Sequence, residues 1–239
     1  CKDREGNVWI GTYFGGINYY TAQHLVFRKY YPDYSDNSIS GSAVREICED
    51  HDGNIWIGTE DAGLNKLDRA SGRITHFEPT GKPGSIAYSN IHGLAVVGHE
   101  LWIGTHERGL DVLDIKTGKV RRHYTAGYRP GDLKSNFVAS LLHTSTGSIF
   151  IGTGKALHEY DPATDGFKQA PEVPGGVTVS CLYEDHNGTV WAGTHGMGVF
   201  YFNRRTHTKG RLVNDLNKPN SLPTNFLNAI CEDSAGNVW

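Results

Sequence analysis

The sequence is poor in the features that announce a membrane span or a catalytic centre. No stretch approaches the roughly 18 uninterrupted apolar residues that a spanning helix requires, and no charged-then-apolar leader precedes the first motif. The chain opens on Cys1, its one methionine is Met197, and it stops at Trp239 inside a motif already seen five times. It therefore reads as a piece of a larger protein, with any leader or anchor outside it. Charge is balanced, 23 basic against 26 acidic residues, with no run of one sign to suit a phosphate backbone, so nucleic acid is set aside as a partner. Neither an HExxH pair nor a CxxC pair is present, and GKPG at 81–84 lacks the continuation of a phosphate loop.

What the sequence has in quantity is a repeat. GNVWIGT at 6–12 recurs as GNIWIGT at 53–59, HELWIGT at 99–105, GSIFIGT at 147–153 and GTVWAGT at 188–194, and GNVW at 236–239 begins another copy. Trp9, Trp56, Trp102, Phe150, Trp191 and Trp239 are thus equivalent, at intervals of 47, 46, 48, 41 and 48 residues. Four strands of ~5–6 residues and four connections of ~4–6 account for that period. AVREICEDHDGNIWIGT (43–59) is rich in β-branched and aromatic residues around a tight DHDGN turn, and reads as strands A and B of a sheet. Strand C follows as INYY (17–20), LNKL (64–67), LDVL (110–113), LHEY (157–160) and VFYF (199–202). Asp68, Asp114 and Asp161 then open the C-to-D turns, where a carboxylate oxygen caps the backbone.

One four-stranded sheet cannot bury both of its apolar faces, so such sheets must stack radially, with the strand B ring wedged between neighbours. The fold expected is all-β, a β-propeller of four-stranded antiparallel blades. A partial blade is expected at 1–31, full blades at about 38–80, 86–128, 134–170 and 175–213, and the inner strand of a further blade at 225–233. Because 231–239 duplicate 1–9, the five or so blades read as an arc of a larger ring; closure of a five-bladed ring, with 225–233 completing the first blade, is the alternative. Cys1, Cys48 and Cys231 share one repeat position. Equivalent strands of packed sheets stand roughly 10 Å apart, beyond the about 7 Å Cα limit for a bridge, so free and mostly buried thiols are expected.

ICEDHDGNIWIGTEDAGLNKL (47–67) and CKDREGNVWIGTYFGGINYY (1–20), with the lead-ins NSIS (37–40) and NSLP (220–223), carry a family resemblance. They resemble the two-component regulator propeller repeat of Bacteroidetes hybrid histidine kinases. The sequence departs from it at Phe150, which replaces Trp in a blade without the Gly-Gly, and at VVGHEL (96–101), where the Glu-Asp turn is missing. The resemblance implies a periplasmic sensor domain of a seven-bladed propeller, in a dimeric, membrane-anchored parent, that signals ligand binding to a kinase, often in response to glycan fragments. No Trp-Asp dipeptide favours a WD40 propeller.

Glu49-Asp50, Glu184-Asp185 and Glu232-Asp233 offer the paired acids of a glycosidase, but a dyad is needed once and a turn cap in every blade. DHDG (50–53) and DHNG (185–188) lack the further ligands of a calcium loop. No catalytic set, metal or cofactor is assigned. The loops on one face vary most from blade to blade, and propellers bind there. Tyr13, Phe14, His106, Arg108, Tyr128, Arg129 and His195 are the candidate ligand-binding residues, with aromatics to lie against a sugar or other small molecule and Arg and His to fix its polar groups. A carbohydrate-active enzyme, with Glu60 and Glu107 the first acids to inspect, and a protein-docking scaffold are the alternatives.

Overall fold

The computed structural model describes residues 8–12, 16–20, 29–33 and 35–239. The chain divides into two compact units, Cys1–Tyr30 and Tyr31–Trp239. In the first, β1 (Val8–Thr12) and β2 (Gly16–Tyr20) pair antiparallel. The second holds four four-stranded antiparallel sheets, and the described residues contain no helix. The sheets are β3 (Val44–Glu49) to β6 (Ile74–Phe77), with β4 (Ile55–Thr59) and β5 (Leu64–Leu67) between; and β7 (Ile91–Val97) to β10 (Lys119–Tyr124), with β8 (Glu100–Thr105) and β9 (Leu110–Asp114). Then come β11 (Val138–His143), β12 (Ile149–Thr153), β13 (Leu157–Asp161) and β14 (Gly166–Gln169), and finally β15 (Val179–Glu184), β16 (Val190–Thr194), β17 (Val199–Asn203) and β18 (Thr208–Leu212). First strands touch first strands, β3 with β7, β7 with β11 and β11 with β15, so these are propeller blades with strand A innermost.

Each letter of the WIGT motif has a separate physical task. The rings of Trp56, Trp102 and Phe150 are buried to within 2 % and anchor three hydrophobic clusters between blades. The glycine lets the next blade approach. A Cβ on Gly58 would lie 2.7 Å from Ile91, on Gly104 2.6 Å from Val138, on Gly152 2.7 Å from the Val179 carbonyl, and on Gly193 2.9 Å from Leu227. The fully buried threonine hydroxyl closes the loop to strand C, Thr59 Oγ1 donating to the Gly63 carbonyl at 3.0 Å while accepting the Ala62 N–H at 3.0 Å. Thr105 and Thr194 repeat this with Gly109 and Gly198.

The Glu-Asp turn divides its labour. Asp50 Oδ1 accepts the backbone N–H groups of Asp52 and Asn54, capping the turn as expected, and Oδ2 accepts the Trp56 indole N–H at 2.8 Å. Asp185 does the same for Trp191 and Asp233 for Trp239. Two of the glutamates reach across blades: Glu184 accepts from the Ser145 amide and hydroxyl, and Glu232 from the His186 amide and ring, whereas Glu49 pairs with Arg69 of its own blade. Where the ring loses its N–H, at Phe150, the acid is gone as well, and Thr144 caps the turn through its hydroxyl. Trp102, whose blade has Val97 at the acid's place, turns its N–H to Glu100 at 3.4 Å.

Three expectations need correction. The wedge role does not extend to the last rings: Trp191 is half-buried and Trp239 is 75 % exposed, because no described sheet covers them on their outer side. Residues 225–233 form isolated bridges at Phe226 and Glu232 instead of a continuous strand. Leu227 sits against Gly193 as an inner strand would, but 234–239 offer Cys231 only a turn and Trp239 to pair with. The described cysteines, Cys48, Cys181 and Cys231, are free, yet only Cys181 is fully buried and Cys231 is exposed for the same lack of cover.

Candidate ligand-binding site

The innermost strands share a defect. Register slips by one residue between Val44 and Glu46, Ile91 and Gly93, Val138 and Ser140, and Val179 and Cys181. Each is a bulge near the start of strand A, and it leaves one extra residue per blade: Arg45, His92, Ala139 and Ser180. Bulges of this kind re-aim a side chain and gather near binding sites. The first residue after each GT is tied to the same place by one recurring backbone bond, from the amide of Glu60, His106, Gly154 or His195 to the carbonyl of Ala43, Asn90, Phe137 or Thr178.

Two varied positions therefore flank the start of strand A in each blade, and in the first two full blades their side chains meet. In the first full blade they form an ion pair, Arg45 to Glu60 at 3.2 Å. In the second they are imidazoles, His92 Nε2 lying 3.4 Å from His106 Nδ1. Both rings pack on Phe137 of the next blade, at centroid distances of 5.2 and 4.9 Å, and His195 lies 6.1 Å from Phe226, the equivalent aromatic one blade on. Burial, with the Arg45 cation nearby, pulls His92 down to about 4, so its ring is neutral near pH 7. Its Nδ1 and the nearby Asn90 Oδ1 are buried polar atoms without a protein partner among the described residues. Such atoms are costly unless something else bonds them.

The structure brings together only part of the set read from sequence. His106 and His195 occupy the same rim position in different blades. Arg108 is exposed, and its amide donates to Thr105 Oγ1. Tyr128, wholly exposed, and Arg129 lie elsewhere, in the connection where Gly131 bridges Phe167 of the outermost strand β14. Tyr13 and Phe14 fall outside the described residues. Arg45 and His92 escaped sequence reading because a bulge inside an apolar strand leaves no mark in its alternation, and Phe137 and Phe226 because only the stacking of blades brings them to the histidines. The two acids named for an enzyme are apart: Glu60 holds Arg45, and Glu107 accepts the Tyr88 hydroxyl at 3.2 Å.

Behind the mouth, a cavity of about 460 Å3 opens among β3, β11, β15 and residues 228–230. A second cleft, of about 330 Å3, lies on the opposite face between the A-to-B turns of the last two full blades, over Phe150 and Phe202. Arg204 seals those rings, stacked 5.3 Å above Phe150 and paired with Glu159 and Glu172. That cleft is an inter-blade seam, and the axial cavity is the better candidate for a ligand.

Comparison with known proteins agrees with this architecture. The family model for the two component regulator propeller matches residues 38–61 and 173–196. No curated protein matches the sequence. Among solved structures, the chain is similar to the extracellular domain of a B. thetaiotaomicron protein described as the hybrid two component system BT4673, with a TM-score of 0.73, 22% identity, and coverage of 100% of this chain and 36% of that one. For the corresponding domain of BT3049 from the same organism the values are 0.64, 24%, 100% and 37%. Virginiamycin B lyase from Staphylococcus aureus shares the fold at a TM-score of 0.58 and 13% identity, over 100% of this chain and 75% of the lyase. The chain spans about a third of the length of the B. thetaiotaomicron domains.

Proposed function

From a chain that carries two component regulator propeller repeats, we propose that it is a ligand-sensing, extracytoplasmic segment of a two component signalling protein and does no catalysis of its own. Its ligand is a glycan fragment or similar small polar molecule, taken at the channel mouth and read as a difference in affinity between two states of a dimeric, membrane-anchored parent. One observation carries the reading. The positions that build the blade repeat, whereas the bulge residue and the residue after GT change chemistry each time: Arg45 and Glu60, His92 and His106, Ala139 and Gly154, Ser180 and His195. Constant geometry under varied side chains is what a selective surface requires, and a purely structural position would have been kept uniform.

The test is a glycan-array screen of the full-length protein, followed by calorimetry on the best ligand with His92→Ala, His106→Ala and His195→Ala. At least a tenfold loss of affinity on one or more substitutions is expected. Undiminished affinity across all three overturns the reading.

A further inference from the structure

The axial cavity has a chemistry that the mouth residues do not explain. Its polar wall comes from Glu46, Ser140, Ser180, Cys181 and Asn228. The two hydroxyls have already spent their protons, Ser140 Oγ donating to the Val179 carbonyl at 3.2 Å and Ser180 Oγ to the Leu227 carbonyl at 2.6 Å. What they turn to the cavity is lone pairs. Arg45, the one cation on the wall, is engaged with Glu60. Glu46 has no hydrogen-bond or ion-pair partner among the described residues. An acid so placed, half-buried on the cavity wall, is normally paired.

A wall of acceptors around one unpaired carboxylate selects a donor-rich cation. We propose that the cavity binds the primary ammonium group of a small amine such as an amino sugar, with Glu46 as counter-ion and the oxygens of Ser140, Ser180 and Asn228 accepting its N–H bonds. One carboxylate is too few for a calcium ion, which takes 6–8 oxygens and usually several acids. The assignment rests on the sensing reading only for its place on the propeller axis.

Burial pushes Glu46 up to about 7, with Arg45 opposing. The other titratable groups near it are thiols, Cys48 on its own strand and Cys181 across the cavity, raised to about 12 and about 11 and hence neutral; β11 and residues 228–230 present none. An ammonium ion needs the ionised carboxylate, so affinity must rise with pH, by about tenfold between pH 6 and pH 8 for a group titrating near 7.

The experiment is calorimetry on the full-length protein with glucosamine, galactosamine and n-propylamine, and with N-acetylglucosamine and calcium chloride as controls. The amines are expected to bind and the N-acetyl sugar not to. Propylamine affinity should climb from pH 6 to pH 8, and Glu46→Gln should lower it at least tenfold while leaving the circular dichroism unchanged. No binding of any of the three amines, equal binding by Glu46→Gln, or binding of calcium in their place overturns the proposal. A neutral glycan whose affinity falls with His106→Ala, in a protein that binds none of the three amines, would remove the ammonium site and leave the sensing reading standing.

Discussion

The indole nitrogen of Trp56 donates to Asp50 Oδ2 at 2.8 Å, across six residues and one hairpin turn. The bond joins the turn at the foot of the blade to the wedge at its centre, so neither can shift alone. Asp50→Ala leaves a buried indole N–H and two turn amides unpaired, and should cost about 2–3 kcal/mol in urea unfolding. Trp56→Ala removes a fully buried ring and should cost about 3–5 kcal/mol. A melting curve unchanged by either substitution would refute the wedge.

The blade of Phe150 shows a second solution to the same problem, with Thr144 in place of the acid. Transplanting it tests whether the pair acts as a unit. Asp50→Thr with Trp56→Phe should cost less than the sum of the single changes, by about 1 kcal/mol, because the double variant leaves no unmet indole donor. Strict additivity in the double-mutant cycle would show that the two positions are independent.

Much of this was legible in the sequence for a simple reason: what holds a blade together recurs at every blade. Trp56, the cap of Asp50 and the C-to-D caps of Asp68, Asp114 and Asp161 could be read because their spacing repeats and each has a local cause. The function of Gly58 could not, since the atom it makes room for, on Ile91, lies in the next blade. The channel mouth was half legible. His106 and His195 stood out by following GT, but their partners Phe137 and Phe226 are set by the radial stacking, and His92 by a bulge. Tyr128 and Arg129 belong to a connection of the same loop type as Asn90, and the stretch that holds them bridges Phe167 of the outermost strand through Gly131.

Gly104→Ala isolates the packing step. Gly104 has no positive φ, so any cost comes from the added methyl, 2.6 Å from Val138 Cγ1 and 3.0 Å from its carbonyl. A loss of about 1–3 kcal/mol is expected, as for other overpacked cores. Val138→Ala in the same chain should restore part of it by clearing the methyl. If thermal melts place the double variant below both singles, the close approach is not what demands glycine.

Acid should unfold the protein in two stages. His92 and His158, both lowered to about 4 chiefly by burial, bind protons in the unfolded chain near pH 6.5 but not in the folded one. Their contribution is whole above about pH 6.5 and declines as pH falls toward 4. Burial raises Asp50 and Asp185, but the indole and backbone donors outweigh it and hold both below the usual range, so their share persists above about pH 4 and is lost beneath it. His92→Gln should make the upper stage shallower without moving the lower one, measured as the urea midpoint from pH 8 to pH 3. An unchanged upper slope would mean that His92 is not neutral in the fold.

Glu46 has the opposite sign. Its folded value of about 7 lies above the ordinary glutamate range near 4.3, so the folded state keeps a proton that the unfolded chain gives up. Stability then falls as pH rises from about 4.5 to 7, and the penalty is constant above that. Glu46→Gln, neutral at every pH, removes it. The variant should match the native protein at pH 5 and melt higher at pH 8, with the gap opening between the two. Saturating propylamine should narrow that gap at pH 8 by stabilising only the native chain, because a ligand that pairs the carboxylate offsets the cost of ionising it in place. A pH-independent difference in melting temperature would mean that the carboxylate is already paired in the fold, and with it would go the reason for an ammonium ion to enter the axis.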